Sequence, residues 1–142
     1  MSTAENVAKI HRLYDELNKG NHDVIDEIIA PNFVAHGETI GLQPGQDVRA
    51  AMKQGILWAK MLLPDLKATV LDTVAEGDKV ASRLVFTGTH TGTDGRIPAT
   101  GNKIEYTAMA FNRFENGLLA ERWFNSDELG MMRQIGLLPP MG

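Results

Sequence analysis

The spacing of apolar positions changes about halfway along the chain, from a helical period to strand alternation. In the first half Val7, Ile10, Leu13, Tyr14 and Leu17 share one side of a helix. Ser2-Thr3-Ala4-Glu5 has the spacing of a capping box at its start, and the helix should end near Gly20. A shorter helix follows, with Val24, Ile25, Ile28 and Ile29 on its apolar side and a stop around Pro31. Residues 32–37 read as a short strand and 41–46 as a loop. Val48, Ala51, Met52, Ile56, Ala59, Leu62 and Leu63 then predict a third helix over 47–63, which Pro64-Asp65 ends.

From Leu66 onward the chain reads as strands. Residues 66–75 and 79–90 form a hairpin around Glu76-Gly77-Asp78, and a two-residue turn there sets Asp72 opposite Arg83. Residues 91–102 are a loop rich in Gly and Thr. Strands 103–115 and 118–125 meet at Asn116-Gly117, a pair that supplies the two positive-φ positions of a type I′ turn. A last helix runs over 127–135. Helices first and a strand meander afterwards predict an α+β fold in a single domain spanning 1–142. Its form would be a cone-shaped, curved antiparallel sheet with the N-terminal helices packed on its concave face, enclosing space for a small apolar ligand.

Counting outward from Asn116-Gly117 sets Phe114 opposite Leu119, Ala110 opposite Trp123, Ala108 opposite Asn125 and Tyr106 opposite Asp127. Strand side chains alternate, so Trp123, Asn125 and Asp127 share a face with two alanines that leave volume unfilled. That pattern describes a pocket wall, and equally an edge strand whose Asp127 caps the final helix. By the same count Met109, Phe111 and Phe124 fall on the other face, which a homodimer would cover.

Composition narrows the function. The 142 residues are 43% hydrophobic and 23% charged, with a net charge of −4 and no basic stripe to neutralise phosphates, so nucleic acid is not an expected partner. There is no cysteine to form a disulfide or a thiolate nucleophile. No apolar run is long enough for a membrane span, and the N-terminus lacks a signal-peptide core, so a cytoplasmic protein is expected. His-Glu-x-x-His, Gly-x-Gly-x-x-Gly and Gly-x-Ser-x-Gly are all absent. Neither a metal, a dinucleotide cofactor nor a serine elbow is therefore predicted.

Several stretches together resemble the SnoaL-like polyketide cyclases of the nuclear transport factor 2-like superfamily. They are Arg12-Leu13-Tyr14, Ala30-Pro31-Asn32-Phe33-Val34-Ala35-His36, Leu63-Pro64-Asp65-Leu66, Ala75-Glu76-Gly77-Asp78, Gly88-Thr89-His90-Thr91-Gly92, and Asp127-Glu128-Leu129-Gly130 with Arg133-Gln134. The resemblance implies a cofactor-independent intramolecular aldol ring closure on a hydrophobic polycyclic ketone or ester. Within the pattern Trp-x-x-x-Asp-x-Leu-Gly, matched by Trp123, Asp127, Leu129 and Gly130, it implies Asp127 as general acid/base. It also implies His36 and His90 turned toward the cavity, as catalytic groups of which one would protonate or hydrogen-bond the enolate oxygen. Phe124 departs from the acid that many members carry after the tryptophan, and Arg122 from a common histidine.

Other side chains are candidates by position. Tyr14, Tyr106, Trp123, Asn125 and Trp58 are expected to contact substrate, although a half-buried tyrosine or a helix tryptophan serves as core equally well. A histidine satisfied by backbone at a strand end is the plain alternative for His90. The same fold hosts isomerases, dehydratases, epoxide hydrolases and hydroxylases, and also modules that bind small molecules without transforming them.

Overall fold

The computed structural model describes residues 2–37 and 45–139. Most of the loop expected at 41–46 lies outside the described residues. The order is α1 (Thr3–Asn18), α2 (Val24–Ile28), β1 (Ile29–His36), α3 (Val48–Leu62), β2 (Lys67–Glu76), β3 (Lys79–Thr89), β4 (Lys103–Glu115), β5 (Leu118–Ser126) and α4 (Glu128–Gln134). The α+β expectation holds. Ser2 caps α1, its Oγ accepting from Glu5 N at 3.1 Å, and Asp47 caps α3 through Arg49 N. Strand β1 begins at Ile29, earlier than expected, and carries Pro31 within it.

The five strands form one sheet in the order β1-β5-β4-β3-β2. Every pairing is antiparallel except β1 with β5, which is parallel, so the sheet is mixed and not purely antiparallel. The chain reaches β5 only after the whole meander, so the strand that precedes α3 becomes an edge beside the last strand.

One face of the sheet is covered by helices. Ile10 and Leu13 of α1, Ile25 and Ile28 of α2, Leu84 of β3 and Leu119 of β5 are almost wholly buried together. Each such side chain contributes about 1.5–3 kcal/mol relative to leaving it exposed. Leu62, Leu63, Ile104 and Ile135 make a second cluster, joining the ends of α3 and α4 to β4. Two side-chain amides act as short strand substitutes. Asn18 exchanges hydrogen bonds with both backbone groups of Ala68, at 2.8 and 2.9 Å, tying α1 to β2. Gln134 does the same with Glu105, at 2.8 and 2.9 Å, which fixes α4 where β4 runs past the end of β5.

The first hairpin has the expected register, with Asp72 opposite Arg83 and their ion pair at 2.8 Å. The second begins as expected, with Asn116 and Gly117 at φ 51° and 80° and Phe114 opposite Leu119. One residue later it slips. Arg113 pairs with Glu121, leaving Ala120 as the extra residue of a bulge. Beyond it Phe111 faces Trp123, Ala110 faces Phe124 and Met109 faces Asn125. Because strand side chains alternate, a one-residue slip exchanges the two faces. Arg122 and Phe124 turn toward the helices, while Trp123 and Asn125 turn to the open outer face with Met109 and Phe111. The expected grouping of Phe124 with Met109 and Phe111 is corrected accordingly.

Candidate functional site

Between α1, α3 and the helix-covered face of the sheet lies a cavity of about 260 Å³. Leu13 and Leu17 of α1, Met52 and Ile56 of α3, and Phe86 and Phe124 of the sheet give it largely apolar walls. Gly55 on α3 also lines it, and a Cβ there would meet nothing within 4 Å. The volume follows from small residues at facing positions: Ala51, Gly55 and Ala59 on α3, and Ala68 on β2.

The polar side chains in the described lining are Tyr14, Asn18, Lys60, Tyr106 and Arg122. Asn18 is committed to the Ala68 backbone. Lys60 Nζ donates to Leu17 O at 3.1 Å and lies 3.5 Å from His22 Nε2. Burial, and then the Lys60 charge, hold His22 below the usual imidazole range. Tyr106 stacks on Phe86 with ring centroids 5.0 Å apart. Burial, with a smaller push from the charge of Glu128, raises its phenol to about 12, so at neutral pH the hydroxyl is a proton-bearing donor. Arg122 is only 6% exposed, and its guanidinium carbon lies 5.6 Å from the Phe33 ring centroid and 5.1 Å from that of Phe124.

Of the side chains expected from sequence, Tyr14 and Tyr106 line this cavity. His36 does not. Strand β1 directs Ala35 inward and His36 outward, where the imidazole stacks on Trp123 at 5.1 Å and its Nε2 bonds Glu121 Oε2 at 2.7 Å. Trp123 and Asn125 join it on the outer face through the Ala120 bulge. His90 is fully buried but is not among the lining residues; its Nδ1 bonds Thr100 Oγ1 at 2.9 Å, and its backbone bonds Asn102 O and Gly101 N. Trp58 is not among the lining residues; it donates to Asp94 Oδ2 at 3.0 Å. Asp94 also accepts from Ile97 N and Arg96 N, and these bonds hold its carboxyl well below the usual range. Trp58 thereby straps the 91–102 loop to α3.

Asp127 is exposed and is the N-cap of α4, its Oδ1 accepting from Gly130 N at 2.9 Å. Its side chain is outside the described cavity lining. Its backbone N–H bonds Thr107 O at 2.9 Å, next along β4 to Tyr106. Among the described residues no group of three or more His, Asp or Glu is placed to hold a metal ion. No helix among them is long and apolar enough to cross a membrane.

Arg122, Phe124 and Lys60 were missed as lining residues. The sequence did hold a signal for the first two: Leu118-Leu119-Ala120 is three apolar residues in succession, which strict alternation does not produce without a bulge.

The family model described as SnoaL-like polyketide cyclase matches residues 8–135. IdmH from Streptomyces antibioticus, provisionally named a polyketide cyclase, is 34% identical with a TM-score of 0.78, over 92% of this chain and 97% of that one. TsrD from Streptomyces laurentii is 28% identical with a TM-score of 0.80, over 97% and 99% of the two chains. AclR from Streptomyces galilaeus, provisionally named a hydroxylase, is 25% identical with a TM-score of 0.82, over 97% and 100%. No curated protein matches the chain. With the family model matching from Ala8 to Ile135 and IdmH 34% identical over 92% of the chain, this chain belongs to the SnoaL-like polyketide cyclase family.

Proposed function

We propose that the protein is a cofactor-independent cyclase that closes a ring by intramolecular aldol addition within the cavity between α1, α3 and the sheet. The observation that carries this reading is the cavity itself: about 260 Å³ of mostly apolar space, with two phenols and a guanidinium on its wall, in a polyketide cyclase family member. Its ligand would be a flat hydrophobic ketone or ester.

In the reaction a methylene between two carbonyls gives up a proton, the resulting enolate carbon attacks a second carbonyl, and the new alkoxide takes up a proton. Tyr14 and Tyr106 are the groups assigned to donate to carbonyl or enolate oxygen. Asp127 is assigned as proton acceptor on the sequence pattern and on its backbone bond to Thr107, the neighbour in β4 of Tyr106, whose phenol the charge of Glu128 also reaches. The assignment requires its carboxylate to leave Gly130 N–H when substrate is bound.

A binding-only protein is the second reading. It is favoured by the absence of a carboxylate from the described cavity lining. The two are separated by incubating the protein with an aromatic β-dicarbonyl and recovering either ring-closed product or intact ligand. Gly55→Phe, which places a ring in the open volume, should abolish turnover while the circular dichroism stays unchanged; persistent turnover would move the site elsewhere.

The outer face of the sheet is assigned to a homodimer. Met109 at 63% exposure, Phe111 at 56% and Val74 at 74% form with Trp123 a broad apolar surface beside the Asp72–Arg83 pair.

A further inference from the structure

We infer that the ligand of this cavity carries a delocalised oxyanion, a carboxylate or the enolate of a β-dicarbonyl, and that Arg122 is the residue that selects it. The inference rests on the cavity reading above and narrows its substrate class. Among the described lining residues the charged side chains are Arg122 and Lys60, both cations. A guanidinium in a wall that is otherwise largely apolar sets a positive charge beside whatever the cavity holds, where low polarity strengthens its pull on an anion.

The surroundings of Arg122 are built to keep it there. It is 6% exposed, with the Phe33 and Phe124 rings within 5.6 and 5.1 Å of its central carbon. The carbon lies over both ring faces, whose negative quadrupoles partly compensate the charge, while its N–H groups are donors to oxygen. A guanidinium has five such donors, so it can hold a protein acceptor and a ligand oxygen together. Its planar fork fits two oxygens that share one negative charge, as in a carboxylate or a β-dicarbonyl enolate. Lys60 is a compact charge already donating to Leu17 O, and supplies a positive field rather than this paired geometry. The slip at Ala120 is what brings Arg122 to the wall; in the unslipped register it would face solvent.

For an enolising substrate the same contact has a chemical consequence. An arginine that binds the enolate more tightly than the neutral diketone makes the flanked methylene more acidic in the site than in water.

The test is calorimetric titration of the full-length protein with two matched pairs. One is naphthoate and its methyl ester; the other is phenylindandione and its C-methylated derivative, which cannot enolise. Wild type should bind at least one anion about tenfold or more tightly than its neutral partner, the scale of a charge-assisted hydrogen-bonded pair. The pair that shows this preference identifies the oxyanion source. Arg122→Met, which keeps an unbranched apolar stem, should erase the preference while leaving affinity for the neutral partner within about twofold. Equal affinities in wild type, or a preference that survives Arg122→Met, would overturn the inference. If Arg122→Met does not fold, Arg122→Lys takes its place, and a weakened preference is expected from the lost fork. Gly55→Phe should abolish binding of all four compounds. Should it leave them bound, the cavity reading itself fails, separately from the role of Arg122.

Discussion

Trp123 stands directly opposite Phe111 on the outer face of the sheet, one position from the Ala110 that the turn alone assigns to it. It also stacks on His36 of the edge strand, so the indole knits β1, β5 and β4 together at the surface. In the proposed dimer this ring is interface and not pocket. Phe111→Glu should shift the protein to monomer in sedimentation velocity without loss of fold, since Phe111 is 56% exposed in the single chain. An unchanged sedimentation coefficient would remove this face from the assembly.

Asp127 combines an observed role with a proposed one, and two substitutions separate them. Asparagine caps a helix about as well as aspartate, so Asp127→Asn should keep stability, whereas Asp127→Ala should lose about 0.5–2 kcal/mol in urea denaturation. If the carboxylate is the proton acceptor, Asp127→Asn lowers turnover by about 10²–10⁴-fold with ligand affinity retained. Full turnover in that variant would leave Asp127 as a cap alone.

Acid should unfold the protein through specific carboxylates. Asp65 accepts from Thr89 N and Thr89 Oγ1, and these bonds hold its carboxyl below the usual range. Glu121 is lowered by His36 and then by Arg113. A carboxyl depressed in the folded state contributes stability above its unfolded value, and that contribution is lost as pH falls through the folded one. Denaturation midpoints should therefore drop below about pH 4, where unfolded carboxyls begin to protonate. Asp65→Asn should lower stability at neutral pH and flatten that drop. A variant as pH-sensitive as wild type would show that Asp65 is not a source of it.

Gly92 lets the loop after β3 lie against the end of α3. Its N–H bonds Leu62 O at 3.1 Å, and a Cβ there would come within 1.9 Å of Met61 O. Backbone cannot give way as a side-chain tip can, so Gly92→Ala should cost about 1–3 kcal/mol, read as a lower melting temperature. An unchanged melting temperature would mean that the loop moves off α3 freely.

Much of the fold was legible because its signals are local. The Ser2 cap, the helical spacing from Val7 to Leu17, and the Asn116-Gly117 turn each act within a few residues. So does the Gly77-Asp78 turn, and its Asp72–Arg83 pairing followed from counting alone. The parallel docking of β1 against β5 was not legible, because it joins residues about ninety positions apart through backbone bonds that no side-chain pattern encodes.

The site divided along the same line. Tyr14 was readable from helix periodicity, and Tyr106 reached the helix-covered face because β4 alternates without interruption. Arg122 and Phe124 were misplaced because every position beyond Ala120 inherits the slip, and His36 because its facing depends on which side of β1 meets the helices.

By itself, then, the sequence determined the elements, the two turns, the α+β class and the family resemblance, all of which arise from contacts within one element or across one tight turn. Tertiary structure alone decided which face of β5 looks into the cavity. A bulge is settled by packing Leu119 and Ala120 together into the core, and in a strand a single residue of slip is enough to exchange an arginine for a tryptophan at the wall.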